Sequence, residues 1–177
     1  MRIRIPFLCF FILLLGCENN FVGLEEIRNN PLDLDQVEYE VPAFAFFPDQ
    51  FNVLAGESFL VEVYAVGALN LFGVTVSIEY DLAKLNLESV ANGNLSLGTD
   101  PLFFVDSNDP GIIEVVSVHL NQDPIGLNGN IKICELLFVA TTKGESILNF
   151  SNDCEMLDPI DQSIEIKGLT QGVVIAQ

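Results

Sequence analysis

The sequence contains no tryptophan, one histidine, two methionines and only 7 Lys+Arg among 177 residues. A single imidazole, that of His119, cannot build a multi-histidine metal centre, and there is no second histidine to partner it. His119 follows Val115, Val116 and Val118 and reads as a strand-end residue. With 25 Asp+Glu and a formal net charge of −18, the chain lacks the clustered Lys and Arg that phosphate backbones demand, which excludes nucleic acid as a partner. No segment sustains an apolar repeat of helical period. The unbroken apolar run from Phe7 to Leu15 is far shorter than the ~20 residues that span a bilayer as a helix. What is abundant is apolar residues, 50% of the chain, enough to exclude a disordered polymer. The length suits one domain plus an extension, since domains usually run to ~100–150 residues. The composition points away from an enzyme, and no catalytic residue, metal site or cofactor is assigned.

The N-terminus has an export pattern: Arg2 and Arg4, then the apolar run, then Leu13-Leu14-Leu15-Gly16-Cys17. The last five residues resemble a bacterial lipoprotein box. That resemblance implies a signal peptide over residues 1–16, lipidation of Cys17, and a lipid anchor to a membrane of the bacterial cell envelope, at the outer membrane or cell surface. The alternative is an ordinary cleaved signal in which Cys17 has no role. Removing residues 1–16 leaves 25 acids against five bases (Arg28, Lys84, Lys132, Lys143, Lys167), a net charge of −20. Such a chain is repelled by anionic headgroups, so the acyl chains must hold it. Residues 17–42, rich in Glu, Asp, Asn and Pro, read as an acidic tether extended by self-repulsion.

From residue 43 to 177 the pattern is strands and turns. Phe59, Val61, Val63 and Ala65 alternate with polar neighbours, and Val74, Val76, Ile78 and Tyr80 alternate with Thr75, Ser77 and Glu79. A period of two marks half-buried strands. Further strands are expected at Phe51–Leu54, Phe103–Asp106, Ile112–Leu120, Ile131–Ala140, Ile147–Phe150, Ser163–Ile166 and Gly172–Ile175. Asn92-Gly93, Asp109-Pro110-Gly111, Asn128-Gly129 and Lys143-Gly144 supply turns. Many short strands with frequent turns predict an all-β, two-sheet β-sandwich.

The order of pieces resembles the cohesin domain. Gly56-Glu57-Ser58 with its Val-rich strand, and Leu71 to Leu85 with Tyr80-Asp81, are similar to that family's first half. Asn128-Gly129-Asn130-Ile131, Cys134-x-Leu136-x-Phe138-x-Ala140, Lys143-Gly144 and Ile147-x-Asn149-Phe150 follow its second half, and Gly168 with Gly172 to Ile175 its terminal strand. Leu82 stands where the family usually has Pro. The resemblance implies a jelly-roll type sandwich of about eight or nine strands and a non-catalytic module that docks a dockerin-like partner protein, in polysaccharide degradation or surface assembly. Its partner face would use the strand around Phe72 to Tyr80, with Gly73, Thr75, Ser77 and Glu79 pointing outward. Direct binding of a polysaccharide is the alternative. Flat glycan platforms favour stacked Trp and Tyr, however, and the chain offers only Tyr39, Tyr64 and Tyr80. A third reading is a structural surface lipoprotein.

Four further features need a role. Tyr80 is expected to pack at the sandwich edge with its hydroxyl on a backbone partner, and the Asp81 carboxylate to accept amide hydrogens two residues on. A hairpin centred on Gly144 would set Cys134 opposite Cys154 within disulfide reach; on the same pattern Cys134, sharing a face with Leu136 and Phe138, reads equally as a buried free thiol. Asp100, Asp106, Asn108 and Asp109, or Asp153, Asp158 and Asp161, carry oxygen ligands suited to calcium but lack EF-hand spacing, and no metal is assigned. Among 25 acids many carboxylate pairs exist, with no aromatic-lined cleft pattern around one.

Overall fold

Twelve strands and no helix make up the described residues, 30–33, 39–96, 102–120 and 125–177, of the computed structural model. The expected signal peptide, Cys17, most of the tether and Asp100 lie outside them. The strands are β1 (Ala43–Phe47), β2 (Gln50–Val53), β3 (Ser58–Leu71), β4 (Gly73–Glu79), β5 (Leu85–Asn92), β6 (Leu102–Asp106), β7 (Ile112–Val118), β8 (Leu127–Ala140), β9 (Gly144–Phe150), β10 (Glu155–Leu157), β11 (Gly168–Leu169) and β12 (Gln171–Ala176). One sheet runs β11-β1-β3-β8-β5; the other runs β2-β12-β9-β4-β7-β6, with β10 added beside β4. This is the expected all-β sandwich. The count exceeds eight or nine partly because β10 and β11 are short pieces of 3 and 2 residues. Ser163–Ile166 is not a strand; Ser163 makes only an isolated bridge to Leu157.

The alternation read in β3 is the register of the first sheet. Phe59, Val61, Val63 and Ala65 stand opposite Phe138, Leu136, Cys134 and Ile131 of β8, and all eight are buried. A β-bulge lies here: Val63 pairs with Cys134 but Tyr64 with Lys132, so Ile133 is the extra residue and is buried beside its neighbour. Phenylalanines knit the sheets together. Phe59 of β3 lies 5.1 Å from Phe51 of β2 and 5.9 Å from Phe138 of β8, centroid to centroid. Each such ring, once buried, contributes about 1.5–3 kcal/mol of transfer free energy.

The β8–β9 turn does not close a hairpin. Gly144 (φ 126°) takes a conformation that favours glycine, and the chain leaves the first sheet for the second. β9 then pairs with β12 and β4. Cys134 and Cys154 therefore do not face each other, and both thiols are free. Of the two sequence readings, the buried free thiol describes Cys134.

The Tyr80-Asp81 corner forms largely as read. The Asp81 Oδ1 accepts the Ala83 amide at 2.9 Å, and Lys84 extends its ammonium to the Glu145 carbonyl at 2.7 Å and the Asp81 carboxylate at 3.4 Å. The Tyr80 ring packs edge-on to Phe138, 5.2 Å away. Its hydroxyl finds no hydrogen-bond partner among the described residues; the backbone amide of Tyr80 makes the link instead, to the Gly111 carbonyl at 2.9 Å.

Part of the expected tether lies on the domain. Pro31 is buried, its carbonyl accepts the Tyr39 hydroxyl, and the Leu32 carbonyl accepts the Asn130 side-chain amide at 2.9 Å.

Candidate functional site

The two outer faces of the sandwich differ in how their charges are met. On the first sheet Lys132 sits among acids, its ammonium 3.0 Å from Glu62 and in contact with Glu135, while the Tyr64 hydroxyl donates to Glu62 at 3.0 Å. These hydrogen bonds push the Lys132 pKa upward; burial, then the bond to Glu62, raises that of Tyr64. The cluster is satisfied within itself and leaves little for a partner.

The second sheet presents ordered rows. Antiparallel register aligns Glu155 of β10, Thr75 of β4, Val116 of β7 and Phe104 of β6 in one line across the outer face. The next line is Leu157, Gly73, Val118 and Leu102; on the other side come Ser77, Glu114 and Asp106. Directly opposed residues on adjacent strands lie about 5 Å apart between Cβ atoms, so these rows form one continuous surface. Phe104 is 61% exposed and Val116 37%. The inward neighbours Ile113, Val115 and Ser117 are fully buried, which fixes the direction of the outward set. The result is an apolar strip that reaches its most exposed residues, Val116 and Phe104, towards the β6 edge, with Glu155, Glu114 and Asp106 beside it.

Of the four β4 positions expected to point outward, all lie on this side of the strand but only Thr75 and Glu79 reach solvent. Gly73 is buried, with the Val118 and Leu157 side chains 3.8 and 3.9 Å from where a Cβ would stand. Ser77 is 4% exposed. The chain linking β9 to β10 folds over it: the Ser151 amide donates to the Ser77 carbonyl at 2.9 Å, and the Ser77 amide donates to the Cys154 Sγ at 3.4 Å. Burial raises the Cys154 pKa. β6 and β7 supply the exposed apolar residues that reading one strand missed. Leu102-Phe103-Phe104-Val105 and Val115-Val116 are apolar on both faces, so no alternation marked their outward set, and nothing local placed those strands beside β4.

The other candidates have structural surroundings. The His119 Nδ1 lies 3.0 Å from the Leu95 carbonyl and its ring is edge-on to Phe72. Asp106 Oδ1 accepts from the Asn108 amide and side chain at 2.9 and 2.7 Å, and Asp158 Oδ1 from Ile160 and Gln162 at 3.0 and 2.9 Å, so these acids stabilise turns. Tyr39, Tyr64 and Tyr80 do not share a face: Tyr39 is tied to Pro31, Tyr64 belongs to the Lys132 cluster, and Tyr80 to the Phe138 corner.

No protein-family model matches the sequence, and none of the curated proteins does. Solved structures do. A non-cellulosomal cohesin from the hyperthermophilic archaeon Archaeoglobus fulgidus superposes with TM-score 0.62 at 18% identity, covering 76% of this chain and 91% of its own. The sixth cohesin of scaffoldin B from Acetivibrio cellulolyticus, solved in complex with a dockerin, gives TM-score 0.66 at 16% identity over 76% of this chain and 98% of that one. A type I cohesin–dockerin complex from Clostridium thermocellum gives 0.63 at 12% identity, covering 80% and 99%. The described domain of this chain is therefore a cohesin-like β-sandwich.

Proposed function

We propose that this chain is a non-catalytic binding module that docks a dockerin-like module of another exported protein. The docking surface is the outer face of β10, β4, β7 and β6, and the observation that carries the reading is the row Thr75–Val116–Phe104, half-buried at β4 and increasingly exposed towards β6. Two of the superposed cohesins were solved bound to dockerins, which supports the same partner class here. Small polar residues around an apolar centre suit protein recognition, whereas the separated tyrosines offer no flat platform for a polysaccharide. The export pattern and the box at Cys17 support a lipid-anchored position at the bacterial cell envelope, where the module would gather partners for surface assembly or polysaccharide degradation.

The test is binding of the purified chain to a panel of dockerin modules and, in parallel, to soluble xylan and cellulose oligosaccharides. Wild type is expected to bind at least one dockerin and no glycan, and Phe104→Asp to lose that binding with an unchanged thermal midpoint. Glycan binding without dockerin binding would replace this reading with the carbohydrate one, and dockerin binding indifferent to Phe104→Asp would move the site to another face.

A further inference from the structure

The docking face contains an electrostatic conflict that its own residues do not resolve. Asp106 of β6 and Glu114 of β7 are direct register partners, both exposed and both in the outward set. Like charges directly opposite on neighbouring strands destabilise a sheet. One oxygen of Asp106 is engaged by Asn108, but a hydrogen bond from an amide does not neutralise the charge. Among the described residues the ion pairs are Lys84 with Asp81 and Lys132 with Glu62 and Glu135, none of them on β6 or β7. Lys143 lies in the β8–β9 turn and Lys167 just before β11. Beside the acid pair, two residues along each strand, stand Phe104 and Val116, the exposed apolar residues.

We propose that this corner seats an arginine or lysine of the partner protein between Asp106 and Glu114, while an apolar side chain next to that cation packs on Phe104 and Val116. The proposal rests on the face being a docking surface and specifies what docks: a basic protein surface with an apolar centre. A second copy of this chain does not fit, because it brings a net charge of −18 and the same uncompensated acids. A cation entering here relieves the repulsion and gains two charge-assisted contacts at once. The free chain carries the cost of that arrangement, as binding sites commonly do.

The probe is a helical peptide with a leucine face flanked by arginines, paired with a twin carrying glutamate at each arginine position. Both are titrated into the isotopically labelled full chain and followed by amide resonances. The arginine peptide is expected to shift residues of β6 and β7. Its binding should weaken about tenfold in Asp106→Asn with Glu114→Gln, as for loss of a close interfacial charge contact. The control pair Glu88→Gln with Glu165→Gln removes two exposed acids elsewhere and should leave binding unchanged; the glutamate twin should not bind. Equal losses in both double variants, shifts mapping elsewhere, or no response to the arginine peptide would overturn the proposal. A second readout needs no ligand: Glu114→Gln should raise the thermal midpoint by removing repulsion, and a lower midpoint would mean that the carboxylate is structural. Dockerin binding that is indifferent to Asp106→Asn with Glu114→Gln overturns the cation seat and leaves the docking reading standing. A response to the arginine peptide with no dockerin bound overturns the dockerin partner and leaves the cation seat.

Discussion

Phe46 of β1 and Phe150 of β9 stack face to face across the two sheets, ring centroids 4.1 Å apart and planes inclined by 9°. Phe44 approaches the same Phe150 ring at 5.7 Å. One ring from the second sheet thus joins two from β1 of the first, and it does so where no ladder hydrogen bond runs between sheets. Phe150→Ala should cost about 3–5 kcal/mol and Phe150→Leu clearly less, because leucine refills part of the cavity. Urea unfolding would measure both, and equal losses would mean that ring stacking is not what the site provides.

The free thiols predict their own chemistry. Reducing agent should leave the thermal midpoint unchanged. Cys134, pushed up to about 12 by burial and then by Glu135, should resist thiol reagents until the chain unfolds, while Cys154, only half-buried, reacts first. The folded chain keeps a proton that an unfolded Cys134 releases near its ordinary 9.0. This contribution to stability is therefore full below that value and falls as pH rises towards about 12. Comparing wild type with Cys134→Ala by urea unfolding across this range isolates the effect: the slope should flatten in the variant.

Alternate positions of one strand should respond very unequally to the same substitution. Thr75→Arg, on the half-buried row, should change stability by no more than about 0.5–1 kcal/mol. Ser77→Arg must force a guanidinium under the β9–β10 connection, where Ser151 and Cys154 bind the backbone, and should cost more than about 3 kcal/mol. Thermal midpoints of the two variants decide it; similar values would mean that the connection opens freely.

Anchoring is tested at Cys17. Wild type should partition with membranes and, when processed, begin at that cysteine, whereas Cys17→Ser should leave the protein unlipidated and soluble. A processed and membrane-bound Cys17→Ser product would exclude the lipoprotein reading.

Alternation was enough to place most strands, because the side-chain period of a half-buried strand is a local property that any stretch of Val61-x-Val63-x-Ala65 kind displays. It was also enough to put Thr75 and Glu79 on one side of β4. β1, β5, β10 and β11 escaped it. β5 breaks its alternation with a register shift between Leu87 and Ser89, and β10 and β11 are too brief to show a period.

Which strands lie side by side is a different kind of fact. Neighbours in a sheet come from distant sequence, and the choice among them is made by burial of the whole core rather than by any local pattern. That choice sent β9 to the opposite sheet from β8, which separated Cys134 from Cys154 and gave Phe150 to Phe46. It laid β10 against β4 and the β9–β10 connection over Ser77, turning two expected contact residues into buried ones. It also brought Phe104, Val116, Asp106 and Glu114 together, four residues whose separate positions in the chain say nothing about a common surface. The amino-acid order determined the faces; only the packed sandwich decided which faces meet, and so which residues share one exposed surface.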